Sequence, residues 1–337
     1  MWTEEKLETL LTTPSQALVD ELRDLRGDLM ILGASGKMGP TLSLLAKNAL
    51  CAAGSSARVY AVSRFTDPKA LTRLQAGSVE CIAGDLLEPG VLEALPEVPN
   101  IVYIAGRKFG TTEDAPATWA VNASLPTLVT RRYPNAKFVA FSTGNVYAPA
   151  PIFSGGSVET DAPQPLGEYG ISCLARERIF ERAAMQGARV LLYRLSYAVD
   201  LRYGVLCDLA QHILADEPIS LNVPCFSCVW QGYANEVALR ALADAASPAA
   251  VLNVTGPEQV SVRYAAEQLG IYLGKTPRFK DEPGDRASFS NSAHCMSRFG
   301  YPSVGLAKLI RWQAEWMLDG GRLLGKPTHF EEQGGRY

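Results

Sequence analysis

Short apolar runs alternate with helical stretches between residues 28 and 195, and this alternation constrains the fold more than any other feature. The runs lie at residues 28–32, 58–62, 79–83, 101–105, 137–141 and 189–195. Runs that are rich in β-branched and aromatic residues and lack a polar face are typical of strands buried on both sides. Strands that alternate with helices form βαβ units with right-handed crossovers. The sequence therefore predicts an α/β fold with a doubly wound parallel sheet.

The composition argues against several classes of protein. The 337 residues include 32 Lys and Arg and 35 Asp and Glu, so the net charge of −3 creates no field that attracts nucleic acid. No apolar run approaches the ~20 residues that span a bilayer, and the acidic N-terminus does not resemble a signal peptide. Seven cysteines, an odd number, suit a reducing compartment better than a disulfide framework. We therefore expect a cytoplasmic protein with neither a membrane nor nucleic acid as a partner.

A glycine motif separates the first predicted strand from the first predicted helix. Gly33, Gly36 and Gly39 form a G-x-x-G-x-x-G pattern at this junction. Such a turn lets the backbone approach a pyrophosphate, which then lies on the N-terminus of the helix. In this context the motif predicts a Rossmann-type dinucleotide-binding domain. The residues expected to contact the cofactor are Gly33, Ser35, Gly36, Lys37, Met38 and Gly39.

The ends of the second and third strands indicate which dinucleotide binds. Ser63 and Arg64 stand where a carboxylate would bind the ribose hydroxyls of NAD. An arginine at this point can pair with a 2′-phosphate, which favours NADP over NAD. Asp85 and Leu86 follow the third strand, where a carboxylate can bind the adenine amino group. We therefore predict NADP as the preferred cofactor, with NAD as the alternative.

Several segments together resemble the extended short-chain dehydrogenase/reductases, the NAD(P)-dependent epimerase/dehydratase group. Besides the glycine turn, they are residues 84–86 (GDL), 104–106 (IAG), Asn122, 142–147 (STGNVY) and 168–173 (EYGISC). The resemblance covers nearly the whole chain after the N-terminal helices. It implies that Ala105, Gly106, Asn122 and Tyr169 also bind the cofactor, and that the substrate is a sugar-like small molecule. It further implies a homodimer through two long helices near 113–133 and 166–186.

The resemblance also implies catalytic roles. Tyr169 takes the position of the general acid/base, and Thr143 that of the hydroxyl that orients the substrate oxygen. A tyrosine of pKa ~10 needs a nearby cation to act as a base at neutral pH. The family supplies this cation from a lysine four residues later, on the same helix face. This chain has Cys173 there.

Cys173 leaves three interpretations open. The protein is an inactive cofactor-binding relative, it uses another cation, or Tyr169 acts only as a proton donor. Lys108, which follows the fourth strand, is our hypothesis for the other cation. Cys173 itself is either a small buried residue under the cofactor or, as a minor alternative, a nucleophile.

The pattern also predicts how the chain divides. Residues 1–26 form a helical N-terminal extension, and residues 27–200 form the cofactor domain, to which a segment near 231–256 returns. Residues 201–230 and 257–337 form a smaller substrate lobe and tail. Residues 275–300 read as a loop. No metal site is expected, because Cys225 and Cys228 have no second ligand pair at suitable spacing.

The second half of the chain gives weaker evidence about the substrate. Phe226 stands where nucleotide-sugar enzymes of the family carry the arginine that clamps the diphosphate. Its presence weakens the case for a nucleotide-sugar substrate without excluding one. The candidates for substrate contact are Tyr197, Arg202, Tyr203 and Trp230.

Two functions of different classes follow. The first is an NAD(P)-dependent oxidoreductase, epimerase or dehydratase that acts on a sugar-like hydroxyl or carbonyl compound by hydride transfer. The second is a catalytically impaired NAD(P)-binding regulator or scaffold of the same fold. The retention of Thr143 and Tyr169 favours an enzyme, whereas Cys173 permits both.

Overall fold

A computed structural model describes residues 1–326, 328–332, 334 and 335. The predicted substrate lobe and tail run to residue 337, so four residues of that prediction, 327, 333, 336 and 337, lie outside the described residues. The strands are β1 (Leu29–Leu32), β2 (Val59–Ser63), β3 (Glu80–Ala83), β4 (Asn100–Tyr103), β5 (Lys137–Thr143), β6 (Ala150–Pro151), β7 (Arg189–Leu195), β8 (Ala198–Val199), β9 (Ile219–Ser220), β10 (Cys225–Phe226), β11 (Val229–Trp230), β12 (Ala250–Val254), β13 (Val260–Ser261), β14 (Phe279–Lys280) and β15 (Arg286–Ala287).

Helices separate these strands. They are α1 (Glu4–Thr12), α2 (Gln16–Arg23), α3 (Gly39–Ala52), α4 (Pro68–Ala76), α5 (Val91–Ala94), α6 (Ala115–Trp119), α7 (Leu125–Arg132), α8 (Gly167–Ala184), α9 (Val205–Leu214), α10 (Gln231–Arg240), α11 (Val262–Leu273), α12 (Ala293–Phe299) and α13 (Leu306–Leu318). A π-helical turn, Ala120–Ser124, joins α6 to α7.

Seven strands form one parallel sheet in the order β12-β7-β5-β4-β1-β2-β3. All four residues of β1 are buried, as a strand covered on both faces requires. The predicted doubly wound α/β fold is confirmed. The seventh strand, β12, comes from the second half of the chain and pairs with β7 at the edge of the sheet.

Three apolar clusters hold the layers together. One joins a face of the sheet to α2, α3, α10 and α12, and a second joins the other face to α7 and α8. The third lies in the C-terminal half, where α9, α11 and α13 pack together. Leu7 and Leu11 of α1 belong to this third cluster, and Leu18 and Leu22 of α2 belong to the first.

Two predicted segments differ from the structure. The long helix expected near 113–133 is divided by the π-helical turn, which ends two residues before Pro126. The loop expected at 275–300 contains β14, β15 and α12, whose Cys295, Met296 and Phe299 are buried against the sheet. A helix of seven residues makes only two turns, so its apolar periodicity is too short to recognise in the sequence.

The order of the strands positions the site. From β1, the chain places β2 and β3 on one side and β4, β5 and β7 on the other. The crevice beyond the carboxyl ends of the strands at such a reversal is where ligands bind in open α/β sheets. The loops that follow β1, β4, β5 and β7 meet at this crevice.

Candidate active site

The glycine turn after β1 brings three backbone segments into close contact. Gly33 has φ +95°, and a Cβ on it would lie 2.6 Å from the backbone of Ala105 after β4. A Cβ on Gly39 would lie 2.4 Å from the carbonyl oxygen of Ala34. The first turn of α3 has no side-chain cap among the described residues, so its N–H groups remain available to an anion. The turn therefore fits a dinucleotide pyrophosphate.

The predicted adenosine end lies beside this turn. The hydroxyls of Ser35 and Ser63 are 2.5 Å apart, which ties the turn to the end of β2. Arg64 is exposed, and its guanidinium lies 3.8 Å from the carboxylate of Asp85. Leu86 is buried in the apolar core, so its side chain does not point toward a ligand.

A cavity of about 280 Å³ opens at the carboxyl ends of β4, β5 and β7. It brings together seven of the predicted site residues. These are Gly36, Lys37, Met38, Gly106, Lys108, Thr143 and Tyr169. Arg107, Tyr197, Tyr203 and Arg176 also line it. The proposed acid/base, its partner hydroxyl and the glycine turn therefore share one cavity.

Asn122 does not line this cavity. Its side chain is fully buried, accepts hydrogen bonds from Arg107 N (2.9 Å) and Arg176 Nη2 (2.5 Å), and donates to Arg107 O (2.9 Å) and Ser172 Oγ (3.0 Å). An amide side chain makes four hydrogen bonds at most in this way, and all four go to protein. The expectation that Asn122 contacts the cofactor is therefore corrected: it positions the loop after β4.

Cys173 lies beneath the cavity instead of in its wall. It is fully buried on the face of α8 that carries Tyr169, and the two side chains are hydrogen bonded. Burial raises the pKa of the Cys173 thiol, so the thiol is neutral at pH 7. A neutral buried thiol is a poor nucleophile. This environment favours the reading of Cys173 as a small packing residue.

Arg176 is a cation that the sequence interpretation missed. It lies seven residues after Tyr169, two turns along the same face of α8, and is 5% exposed. Its Nη1 donates to Phe141 O at 2.9 Å. Its Nη2 donates to Asn122 Oδ1 and lies 2.8 Å from the point where a Cβ on Gly106 would stand. The guanidinium is therefore fixed at the cavity wall beside Tyr169.

The π-helical turn explains why Arg176 is held there. Pro126 has no N–H, so it cannot donate to the carbonyls of the preceding turn. Two of these carbonyls are satisfied from outside the helix: Tyr103 Oη donates to Val121 O at 3.4 Å, and Arg176 Nε donates to Asn122 O at 3.4 Å. Burial disfavours the charge of Arg176, but Cys173, Tyr103 and Tyr169 nevertheless raise its pKa above the ordinary value. Arg176 is therefore charged at every pH of interest.

Two lysines approach the same cavity from different elements. Lys37 leaves the glycine turn and donates from Nζ to Ala198 O at 2.5 Å, with Nζ 3.8 Å from the ring centre of Tyr203. Lys108 lies in the loop after β4. Burial lowers the pKa of Lys37 to about 7 and that of Lys108 to about 8. Lys108 lines the cavity together with Tyr169, and Arg176 interacts electrostatically with Tyr169.

A buried polar network supports the site from below. Glu177 and Arg194, both buried, form two hydrogen bonds of 2.9 and 2.7 Å, and Glu177 also accepts from Ser142 Oγ at 2.5 Å. Arg194 donates to Tyr147 Oη at 2.6 Å, and Tyr147 donates to Asn253 Oδ1 at 3.0 Å. This network joins α8 to β5, β7 and β12, so Thr143 and Tyr169 stand on a common rigid base.

Of the four residues expected to contact substrate, the structure places two at the cavity. Tyr197 and Tyr203 line it, and Tyr197 has φ +44°, a strained conformation that is common at functional sites. Trp230 instead packs against Trp312, with ring centres 5.7 Å apart. Arg202 is buried in ion pairs with Asp200 and Glu8. The expectation for Trp230 and Arg202 is therefore wrong, because their side chains serve packing and charge pairing.

The described residues contain no group of three His, Cys, Asp or Glu side chains that could hold a metal ion. None of the helices formed by these residues combines the length and the apolar character that a membrane crossing requires.

Comparisons with known proteins agree with this geometry. Residues 29–199 match the sequence profile of the family described as the NAD dependent epimerase/dehydratase family. A comparison with curated proteins finds no match. Among solved structures, the UDP-glucuronic acid 4-epimerase from Bacillus cereus in complex with UDP-glucuronic acid and NAD is similar with a TM-score of 0.70 and 17% identity, over 87% of this chain and 99% of that one.

Two further structures show the same fold at low identity. MoeE5 in complex with UDP-glucuronic acid and NAD has a TM-score of 0.67 and 22% identity, over 87% of this chain and all of the other. The UDP-glucose 4-epimerase of Thermus thermophilus in complex with NAD has a TM-score of 0.68 and 20% identity, over 86% of this chain and 98% of the other. The match to the family profile confirms the resemblance that the motifs indicate.

Proposed function

This chain belongs to the NAD dependent epimerase/dehydratase family, and from that membership we propose that it transfers hydride between a nicotinamide dinucleotide and a sugar-like hydroxyl or carbonyl compound. The observation that carries the proposal is the single cavity that Thr143, Tyr169 and the buried cation Arg176 share with the glycine turn. A regulator that had lost catalysis would have no need to keep these three groups in one cavity.

The protein's own residues would hold the cofactor at two places. The backbone of residues 36–39 and the uncapped start of α3 would bind the pyrophosphate. Arg176 and Gly106 would lie beside the nicotinamide ribose, since both line the cavity into which the glycine turn opens. When bound, the nicotinamide supplies the carbon that accepts or returns the hydride.

Tyr169 and Thr143 handle the proton. In the oxidising direction the substrate hydroxyl would give its proton to Tyr169 Oη. The carbon that bears this hydroxyl would give its hydride to the nicotinamide. Thr143 Oγ1 accepts from Asn145 N at 3.1 Å, which leaves its own O–H as a donor to the substrate oxygen. Arg176 supplies the positive charge that a base of this type needs. Cys173 would then be a neutral buried residue that packs beneath the cavity and is hydrogen bonded to Tyr169.

Turnover with a panel of sugars and sugar acids, followed by cofactor absorbance, tests the proposal. We expect Tyr169→Phe to lower kcat by roughly 100- to 1,000-fold, because it removes the proton acceptor, with NADPH affinity changed less than about threefold. Tyr301→Phe is the matched control, since Tyr301 is 74% exposed. Tight NADPH binding by the wild type with no turnover of any panel member would instead establish the regulator.

NADP preference is part of the proposal and has a specific support. Arg64 is exposed at the end of β2 and close to Asp85, so it can turn toward a 2′-phosphate at little cost. Binding titrations with NADPH and NADH measure the preference directly. We expect tighter binding of NADPH, and this difference should disappear in Arg64→Ala.

The same proposal includes the organisation of the protein. We keep the division into an N-terminal extension, a cofactor domain and a substrate lobe, with the cavity between the last two. All seven cysteines are free thiols, which supports a cytoplasmic location. Exposed apolar residues on α6, α7 and α8 support a homodimer through these helices.

A further inference from the structure

The charged side chains that line the cavity, among the described residues, are all positive. Its charged lining residues are Lys37, Arg107, Lys108 and Arg176, and none of its described lining residues is Asp or Glu. Two of the four cations are already committed. Arg107 pairs with Asp114 at 3.0 Å, and Arg176 is fixed by Asn122 and Phe141 beside Tyr169. The other two cations of the lining are Lys37 and Lys108.

Lys37 points away from the phosphate-binding turn. Its Nζ reaches the carbonyl of Ala198, on the opposite wall of the cavity, and lies over the ring of Tyr203. A lysine that only bound the pyrophosphate would not need these contacts with Ala198 and Tyr203. The side chain therefore presents its charge on the side of the cavity that the C-terminal half of the chain forms.

Lys108 reaches the same region from the loop after β4. The two side chains line the same cavity, and the charge of Lys108 lowers the pKa of Lys37. Asp200 and Asp208 are the carboxylates that also act on Lys37, together with Arg202, whereas Asp208 and Cys173 act on Lys108. Asp200 is held by Arg202 at 2.7 Å, and Asp208 accepts two hydrogen bonds from Thr328. Neither carboxylate lines the cavity.

Two ammonium groups that line one cavity, in which no described lining residue is Asp or Glu, suit a ligand with a negative charge. We propose that Lys37 and Lys108 form an anion subsite that binds the acidic group of a small substrate, which is a sugar acid or a sugar phosphate. This inference rests on the proposed function, because it names the substrate class of the same cavity. Tyr197 and Tyr203 line the same cavity as the two lysines and Thr143.

The nature of Phe226 favours a substrate without a nucleotide. Phe226, at the position that the family resemblance gives to the diphosphate-clamping arginine, is 1% exposed and belongs to the apolar cluster of α9, α11 and α13. The cations that would bind an acidic substrate therefore line the cavity of Thr143 and Tyr169, whereas the position of the diphosphate-binding arginine is apolar.

Turnover of matched compounds tests the subsite. The panel pairs each hexose with its aldonate, its uronate and its 6-phosphate. We expect the acids to exceed the neutral sugars in kcat/KM by about 10- to 100-fold, as loss of a charge-assisted hydrogen bond implies. Lys108→Met and Lys37→Met should remove this preference mainly through KM, whereas Lys69→Met, on the exposed face of α4, should keep it. Comparison of the aldonates and uronates with the 6-phosphates shows whether the substrate carries a carboxylate or a phosphate.

A binding measurement keeps the two proposals separate. We titrate the wild-type protein, saturated with NADPH, with the same acids in two buffers of different ionisation enthalpy at pH 8. Because the lysine pKa values lie near 7 and 8, an anion that binds them should bring about one proton with it. Acid binding with proton uptake but no turnover supports the subsite and overturns the proposed hydride transfer. Equal use of acids and neutral sugars overturns the subsite alone, and so does acid binding that Lys37→Met and Lys108→Met leave unchanged.

Discussion

At the scale of single residues, the site depends on three positions along one face of α8. Tyr169, Cys173 and Arg176 follow one another at spacings of four and three residues, so their side chains share a face. The family pattern puts the cation at the middle position, and this chain puts it at the third. Because Cys173 is small and buried, the guanidinium of Arg176 can reach the cavity beside Tyr169.

The first prediction concerns Arg176. We expect Arg176→Ala to lower kcat/KM by roughly 100-fold, since it removes the charge that favours the tyrosinate. A phenol without a neighbouring cation loses its proton at higher pH. The ascending limb of the pH–rate profile should therefore move upward by about one to two pH units. NADPH binding, followed by fluorescence, should weaken as well.

A second substitution separates this electrostatic role from a merely structural one. Cys173→Lys in the Arg176→Ala background returns a cation to the family position and should restore both the rate and the pH profile. Cys173→Ala in the same background is the matched control and should restore neither. An unchanged pH profile in Arg176→Ala, or equal rescue by Lys and Ala, contradicts the role of Arg176.

The residues of the cofactor turn and the acid/base pair were accessible to sequence reasoning, whereas Arg176 was not. Thr143 and Tyr169 belong to short sequence motifs that can be recognised from neighbouring residues. Arg176 acts through a contact with Asn122 across two helices, and no local pattern encodes that contact. The available signal was its spacing of two helical turns from Tyr169. For Asn122 the family motif is present in the sequence, but the motif does not show that the side chain makes its hydrogen bonds to other protein groups.

At the scale of elements, α8 is tied to the sheet by a buried ion pair. Glu177 is fully buried and Arg194 is 3% exposed, and Ser142 and Tyr147 complete their hydrogen bonds. A buried charge that loses its partner remains without compensation, which is far more costly than the loss of an exposed pair. The position of Tyr169 over the carboxyl end of β5 therefore depends on this pair.

We expect Glu177→Gln to lower the free energy of unfolding by about 3–5 kcal/mol, as breaking one side of a buried pair does. Urea denaturation followed by circular dichroism measures this change. Glu181→Gln is the matched control on the same helix, because Glu181 pairs with Arg178 at the surface. Its effect should stay below about 1 kcal/mol. Equal effects of the two substitutions would show that the Glu177–Arg194 pair does not anchor α8.

The elements with strong periodicity were predictable, and the irregular ones were not. The interior strands β1, β2, β4, β5 and β7 follow the apolar runs because burial on both faces leaves few polar positions, whereas β3 lies at the edge and is only partly covered. The π-helical turn at 120–124 arises from Pro126 and from donors on other elements, Tyr103 and Arg176. Such long-range compensation has no signature within the helix itself.

At the scale of the whole molecule, the two ends of the chain and both halves are joined. Trp2 packs against Trp312 at 5.0 Å between ring centres, and its indole donates to Glu315 at 3.0 Å. Glu8 pairs with Arg202, and Ser15 donates to Glu236 at 2.6 Å. The N-terminal helices therefore connect the sheet to the C-terminal half. Their amphipathic sequence predicts that one face of each helix is buried, but not against which part of the protein.

The last prediction concerns a surface that the helices α6, α7 and α8 present together. Trp119, Leu128 and Ile171 are each 37–43% exposed on these adjacent helices. An exposed apolar stripe on paired helices suits a two-fold interface with a second copy of the chain. We expect a dimer in analytical ultracentrifugation at micromolar concentration, and a monomer for Ile171→Glu, because the interface would bury an uncompensated charge. Ile271→Glu is the matched control, since Ile271 is 70% exposed on α11. A monomeric wild type, or dissociation by both variants alike, rules out this interface.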